Sequence, residues 1–354
     1  MTGQQVSVPA EHRRTTDKKR RMRPSLLICG LLLALVVGTV VAVTTGAASI
    51  RLSTVAEAFR SYDPDQVSHY TVMSVRLPRA LTAILVGASF AVSGAIMQGL
   101  TRNPLASPGL MGVSAGSGFA LVLVFVLAPY LAYHQIIAVS MLGAACGTLL
   151  VYGVGMLGAA GRTQQYRNVK LALAGSAVSA LLGAFAEGLE IYYGLAQSVM
   201  QWYTAGLSGV KWIDVRVILP WTIAGGIAAF AISRSLSAIA LGDEVASGLG
   251  QRIARTKWIG ACAVFALTGS AVAIAGPIGF IGLMVPHLVR FLIGANYRWI
   301  IPCAGLMGGA LLLFADTASR LVNMPRETPA GIITAVLGVP FFLYLARQDG
   351  RASL

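Results

Sequence analysis

An all-α, polytopic membrane protein with about ten transmembrane helices is the fold class this sequence predicts, from its composition, the length of its apolar runs and the placement of its basic residues. Of 354 residues, 56% are hydrophobic and 11% are charged, roughly half the charged share of an ordinary soluble domain. One water-soluble core cannot absorb that many apolar side chains, so lipid has to be the solvent for most of them. The 40 glycines fit membrane helices, where small residues let backbones approach closely.

A hydrocarbon layer about 30 Å thick is crossed by about 20 helical residues. Scanning at that length gives ten candidate helices, near 25–48, 77–100, 110–128, 136–157, 171–194, 215–233, 258–275, 278–293, 299–318 and 329–346. The first is longer than the 7 to 15 residues usual for the core of a cleavable signal peptide, so it reads as a retained helix. It follows a basic run, Arg13, Arg14, Lys18, Lys19, Arg20, Arg21 and Arg23. Lys and Arg hold the flank of a membrane helix on the cytoplasmic side. With ten crossings both termini share that side, and 18 of the 27 Lys and Arg residues then fall in cytoplasmic segments against 8 outside, with Arg290 inside a helix. The net charge of +14 is thereby explained by topology, and no nucleic-acid partner is expected. The domain plan is a basic cytoplasmic tail at 1–24, a membrane domain at 25–346 and a cytoplasmic tail at 347–354.

Cys29, Cys146, Cys262 and Cys303 each fall in an apolar segment without C-x-x-C spacing, which argues for small membrane residues rather than ligands or disulfides. Two connections are long: 51–76 outside and 235–257 inside. The inner one carries Leu241, Val245, Leu249 and Ile253 at every fourth position, the pattern of a short amphipathic helix. Such a helix lies either against a partner surface or in the headgroup layer.

Several motifs resemble one family. They are Arg76-Leu-Pro-Arg79, Val86-Gly-Ala-Ser-Phe-Ala-Val-Ser-Gly94, Arg102-Asn-Pro-Leu-Ala-Ser-Pro-Gly-Leu-Met-Gly-Val-Ser114 and Leu241-Gly-Asp-Glu-Val-Ala-Ser-Gly-Leu-Gly250. Ala275 to Arg290, Ala315-Asp316, Arg320 and Pro329 to Phe342 continue the series. Together they resemble the FecCD permeases of iron-siderophore, heme and cobalamin ABC importers. The resemblance implies a place in the cytoplasmic membrane, an inverted repeat of helices two to five and seven to ten, a second permease subunit (identical or different), an ABC ATPase dimer and an extracytoplasmic substrate-binding protein. It implies a coupling loop for the ATPase at 235–257, through Leu241, Gly242, Asp243, Glu244, Ala246, Leu249 and Gly250. Arg76, Arg79 and Arg320 would dock the binding protein. Asn103 and Leu105, with a short loop ending at Asn168 and Val169, would form a cytoplasmic gate. Val169 stands where a small polar residue can occur in the family, and a plain turn at 102–108 is the competing reading.

Ionisable groups inside membrane segments are expected at functional positions by default: Glu187, Glu190, His287, Arg290 and Asp316. Glu187 and Glu190, three residues apart, are candidates for lining the pathway, whereas Arg290 and Asp316 are expected to face protein and find partners. His287 has no second histidine within helical reach, so no metal site is expected and no cofactor is implied. The chain holds no Gly-Lys dipeptide, hence no Walker loop, so energy must come from a partner or from an ion gradient. A secondary carrier would need coupling carboxylates near the midplane, and Asp316 is the deep one in this sequence. The zinc-protease run H-E-x-x-H is absent. The expected function is a transport subunit, not an enzyme, with an iron(III)-siderophore complex as substrate and heme or cobalamin as alternatives.

Overall fold

A computed structural model describes residues 22–46, 48–157, 164–323 and 327–352. Most of the basic run before Met22, together with Arg162 and Arg326, lies outside the described residues. All regular structure among the described residues is helical: α1 Pro24–Thr44, α2 Leu52–Arg60, α3 Val67–Tyr70, α4 Leu77–Thr101, α5 Val113–Leu127, α6 Tyr133–Met156, α7 Gln164–Tyr192, α8 Ala196–Ala205, α9 Trp212–Ala231, α10 Ser233–Ile239, α11 Asp243–Gly248, α12 Ile253–Ala275, α13 Ile281–Ile293, α14 Tyr297–Val322 and α15 Ala330–Ala352. Among them seven helices are long and apolar enough to cross a membrane: α1, the run through α4, α6, α7, α9, α12 and α14. Three shorter apolar helices, Val113–Leu127, Ile281–Ile293 and Ala330–Tyr344, fill the remaining positions expected from the sequence.

Helix α4 is the axis around which the others pack. It contacts α1, α9, α12, α13 and α14, and nearly every side chain from Ala83 to Leu100 is buried. Its run of Gly, Ala and Ser allows this. A Cβ added at Gly87 would stand 2.2 Å from the Gly308 carbonyl oxygen of α14, and one at Gly94 would stand 2.0 Å from the Gly282 oxygen of α13. Between α5 and α6 the same device recurs, with Gly112 and Gly116 against Gly147 and Gly143. Helices in lipid gain little from hydrophobic burial against one another, so close backbone approach of this kind carries their association.

Outside the 235–257 segment, the structure departs from the sequence reading in five places. The connection 51–76 is mostly helical rather than a loop: α2 is followed by a turn at 61–66, after which α3 and a wider π turn at Thr71–Arg76 run without interruption into α4. Helix α5 begins at Val113 because a 3₁₀ turn, Pro108–Met111, and Gly112 at φ +74° precede it. Helix α8 has no counterpart in the expected segments, being too short for a membrane-length scan. Asn168 and Val169 stand inside α7, not at the end of a loop, since the helix starts at Gln164; of the Asn168 side chain nothing is described. Finally, the 347–354 tail is helical through Ala352, continuing α15.

The glycine contacts make an energetic prediction. Replacing Gly94 with Ala forces a methyl into the α13 backbone and should cost about 1 to 3 kcal/mol or more. The same change at Gly226 meets nothing within 4 Å and should be neutral or stabilising by about 0.5 to 1 kcal/mol. Thermal unfolding of the two variants in detergent checks the contrast, and equal behaviour would remove the close-packing argument.

Candidate functional site

The sequence-predicted residues gather in two regions. At one end of α4, three arginines converge. Arg79, 6% exposed, donates from Nε and Nη2 to Asp316 of α14 at 2.9 to 3.0 Å, and from Nη1 to both oxygens of Glu327 at 2.9 Å. Asp316 is fully buried and also lies 3.5 Å from Arg320, one helical turn later. Arg320 Nη1 donates to the carbonyls of Ala42 and Thr45, at 3.1 and 3.3 Å. Arg76 Nη1 donates to the Val43 carbonyl at 2.8 Å and Nη2 to that of Ala48.

The reason for this arrangement lies in the end of α1. The last carbonyls of a helix have no partner within it, and positive charge near a helix C-terminus is favourable. Two guanidinium groups supply those donors to α1, while Asp316 and Glu327 balance the third. The sequence reading assigns these arginines to docking a binding protein; in the isolated chain their side chains are turned inward, at 6 to 8% exposure. Glu327, with its side chain 44% exposed, is the group of this cluster open to the surface, and the sequence reading does not single it out.

Toward the other end of α4 stand the 102–111 turn and the 235–257 segment. Arg102 closes α4 in a left-handed conformation, φ +53°. The Asn103 side chain accepts from the Leu105 amide at 2.9 Å, an Asx turn, and leaves Leu105 half exposed. A cavity of about 50 Å³ runs beneath, lined by Pro104, Leu105, Phe280, Met284, His287 and Phe341. Phe280 has φ +68° and packs on Gly338 of α15, where an added Cβ would lie 2.3 Å from its ring. A bulky residue in left-handed backbone is strained unless its surroundings hold it there. His287 meets the ring of Phe341 edge-on, with centroids 5.8 Å apart, and no group of three metal-ligating side chains occurs among the described residues.

The segment 235–257 corrects the expectation of one amphipathic helix. It is the end of α10, a turn, the six-residue α11 and a second turn into α12. Gly242 at φ +125° and Gly250 at φ +74° make the turns, a backbone region other residues seldom adopt. Ala246 is fully buried, while Leu241, Val245 and Leu249 are 48 to 72% exposed and Glu244 is also exposed. The apolar stripe therefore becomes a knob around a short helix, with Ile253 half-buried at the start of α12. Asp243 ties this knob to its neighbours: its carboxylate accepts from Lys257 at 3.1 Å and lies 3.9 Å from Arg102, joining the predicted gate turn to the predicted coupling segment. Beside it, a cavity of about 790 Å³ opens between α4, α6, α7 and α12.

Glu187 is exposed and Glu190 half-buried on α7, whose side chains Leu173, Leu181, Phe185 and Ile191 also project outward. The run Gly112-Val-Ser-Ala-Gly116 has G-x-S-x-G spacing. Here its glycines pack α5 on α6, with no strand among the described residues to make a nucleophile elbow.

Seven helices long and apolar enough to cross a membrane, packed through small-residue seams with buried ion pairs between them, mark a polytopic membrane protein. The chain belongs to the FecCD transport family, whose pattern matches residues 32–348. It is 48% identical, over 92% of its length and 84% of the relative's, to the iron(3+)-hydroxamate import system permease protein FhuB of Bacillus subtilis (strain 168). It is 38% identical to the ferric enterobactin transport system permease protein FepD of Escherichia coli (strain K12), covering 92% of this chain and 96% of that one. With the hemin transport system permease protein HmuU of Yersinia pestis the identity is 39%, again over 92% and 96%. Among solved structures, an inward-facing ABC transporter assigned to the metal-chelate type superposes with a TM-score of 0.79 at 28% identity, covering 92% of this chain and all of that one.

The ion cluster predicts a coupled stability effect. Asp316→Ala strands buried guanidinium groups, and breaking a buried pair by removing one partner costs about 3 to 5 kcal/mol. A double-mutant cycle over Arg79 and Asp316 should recover part of that loss in the doubly substituted chain, measured by thermal unfolding in detergent. Additive losses would mean that the two side chains do not interact.

Proposed function

We propose that this chain is the membrane-spanning permease subunit of an ABC importer for an iron(III)-siderophore complex, working with a second permease subunit in the cytoplasmic membrane. A separate ATPase dimer drives it, and an extracytoplasmic binding protein delivers the substrate. The observation that carries this reading is the 48% identity to an iron-hydroxamate permease across nearly the whole chain. Heme and cobalamin are the alternative cargoes, since permeases named for hemin and cobalamin import are also similar.

In this reading all ten apolar helices cross the bilayer, both termini are cytoplasmic, and helices two to five and seven to ten of that set form the inverted repeat. Residues 1–24 and 347–354 flank a permease domain at 25–346. The knob formed by Leu241, Val245 and Leu249 seats in a cleft of the ATPase, with Gly242 and Gly250 fixing its angle and Asp243 and Glu244 at its base. Three exposed apolar side chains on and beside a six-residue helix have no use in water and a clear one against a partner. Asn103 and Leu105, with Asn168 and Val169 on α7, form the cytoplasmic gate, and Glu187 and Glu190 face the pathway between the two permeases. Arg76, Arg79 and Arg320 present the binding protein with a fixed positive field, three guanidinium groups against Asp316 and Glu327. Fields of this kind govern orientation and association rate more than affinity.

A carrier driven by an ion gradient fits less well. Its coupling carboxylate would be Asp316, which is held by Arg79 and Arg320 and so is not free to exchange a proton or cation.

Two measurements test the proposal. The double substitution Gly242→Pro with Leu249→Asp should weaken co-purification of the ATPase by at least about tenfold, roughly 1.4 kcal/mol of binding, and undiminished capture would count against the coupling role. In proteoliposomes, uptake of an iron(III)-siderophore should require ATP, the ATPase and the binding protein. Accumulation by the permease alone under a sodium or proton gradient would favour the carrier.

A further inference from the structure

Helix α13 contains a proline, Pro286. Proline has no N–H, so the carbonyl four residues earlier, that of Gly282, loses its helical partner. In a membrane an unpaired backbone carbonyl is costly. Gln98 of α4 fills the vacancy: its Nε2 donates to the Gly282 oxygen at 3.1 Å and to that of Leu283 at 3.3 Å. The approach is possible because Gly94, one turn earlier on α4, lies against Gly282 with no side chain between. The other end of the same amide accepts from Arg290 Nη2, one turn beyond Pro286. Gln98, 3% exposed, therefore bridges the proline break in α13 from both sides.

The bridge continues outward. Arg290 Nη1 donates to the Tyr297 hydroxyl at 3.4 Å. The backbone N–H of Tyr297, an orphan donor at the start of α14, donates to Ser237 Oγ of α10 at 3.0 Å. Ser235, two residues away, donates to Gln251 at 2.7 Å, in the turn between α11 and α12. On the inner side the bridge ends beside Phe280 and Leu283, which line the small cavity under Pro104 and Leu105. Hydrogen bonds and the short chain spans between them thus link the turn after α11 to α13, whose Leu283 shares a cavity wall with Pro104 and Leu105, with a proline-weakened helix as the element able to change shape.

We propose that Gln98 and Arg290 are positioning residues for transport: they latch α13 across Pro286, so that displacement of the 235–257 segment is passed to the backbone beneath the Leu105 turn. The inference rests on the reading of 235–257 as the ATPase docking element. Without the Gln98 amide the knob still docks, but its motion is lost in free bending at Pro286.

The test uses the complete complex in proteoliposomes and measures substrate transported per ATP hydrolysed. Gln98→Leu removes both arms of the bridge. Gln98→Glu keeps the size of the side chain and its pairing with Arg290, but a carboxylate cannot donate to Gly282. If the residue only filled space and accepted a hydrogen bond from Arg290, Gln98→Glu would transport as the wild type does. The latch instead predicts that both variants retain the ATPase on co-purification while transport per ATP falls about tenfold, roughly 1.4 kcal/mol. Should Gln98→Leu not fold, Gln98→Glu alone decides. A wild-type ratio in Gln98→Glu overturns the latch and leaves the docking assignment standing. Failure of the wild-type chain to capture the ATPase through 235–257 overturns both.

Discussion

Contact between α4 and the backbones of α13 and α14 is the constraint on which the rest of the structure depends. Gly87 against Gly308 and Gly94 against Gly282 bring helix axes closer than any side chain would permit. Once that spacing is set, Arg79 reaches Asp316 at one end of α4 and Gln98 reaches Gly282 toward the other. Arg79, Asp316 and Gln98 are tolerated in an apolar medium because each of the three finds its partner at short range. The small residues therefore do two tasks: they supply the van der Waals contact that holds helices together in lipid, and they make the polar bonds geometrically possible.

The same economy governs where helices are irregular. Pro286 breaks the hydrogen-bond ladder of α13, and a side chain from another helix repairs it. The end of α1 leaves carbonyls unpaired, and Arg76 and Arg320 cover them. The turn after α4 is closed by the Asn103 side chain accepting from the Leu105 amide. Each repair uses a residue type that hydropathy alone would score as misplaced. These residues are the ones that connect distant parts of the chain.

Much of the helical layout was legible in the sequence because apolar length is a strong signal: all ten expected segments coincide with helices. Short elements escaped it. Helices α2, α3 and α8 have too few apolar residues to register in a scan tuned to membrane thickness. Residues 241–253 misled the periodicity argument, since Leu241, Val245, Leu249 and Ile253 keep a helical beat across two glycines that in fact turn the chain. Partners far apart in sequence were also hidden. Asp316 could be expected to seek a cation, but its choice of Arg79 depends on how α4 and α14 are docked. Phe280 in left-handed backbone carries no sequence signature at all, because the residue type argues against the conformation.

The cap that Arg76 and Arg320 place on α1 has a consequence for any acidic visitor at that end of the molecule. Their planar head groups are already committed to main-chain oxygens, so a carboxylate from outside competes with the last turn of the first helix for the same protons. The helix nearest the chain's beginning is thereby moored by its final turn to the segment leading into α4 and to α14.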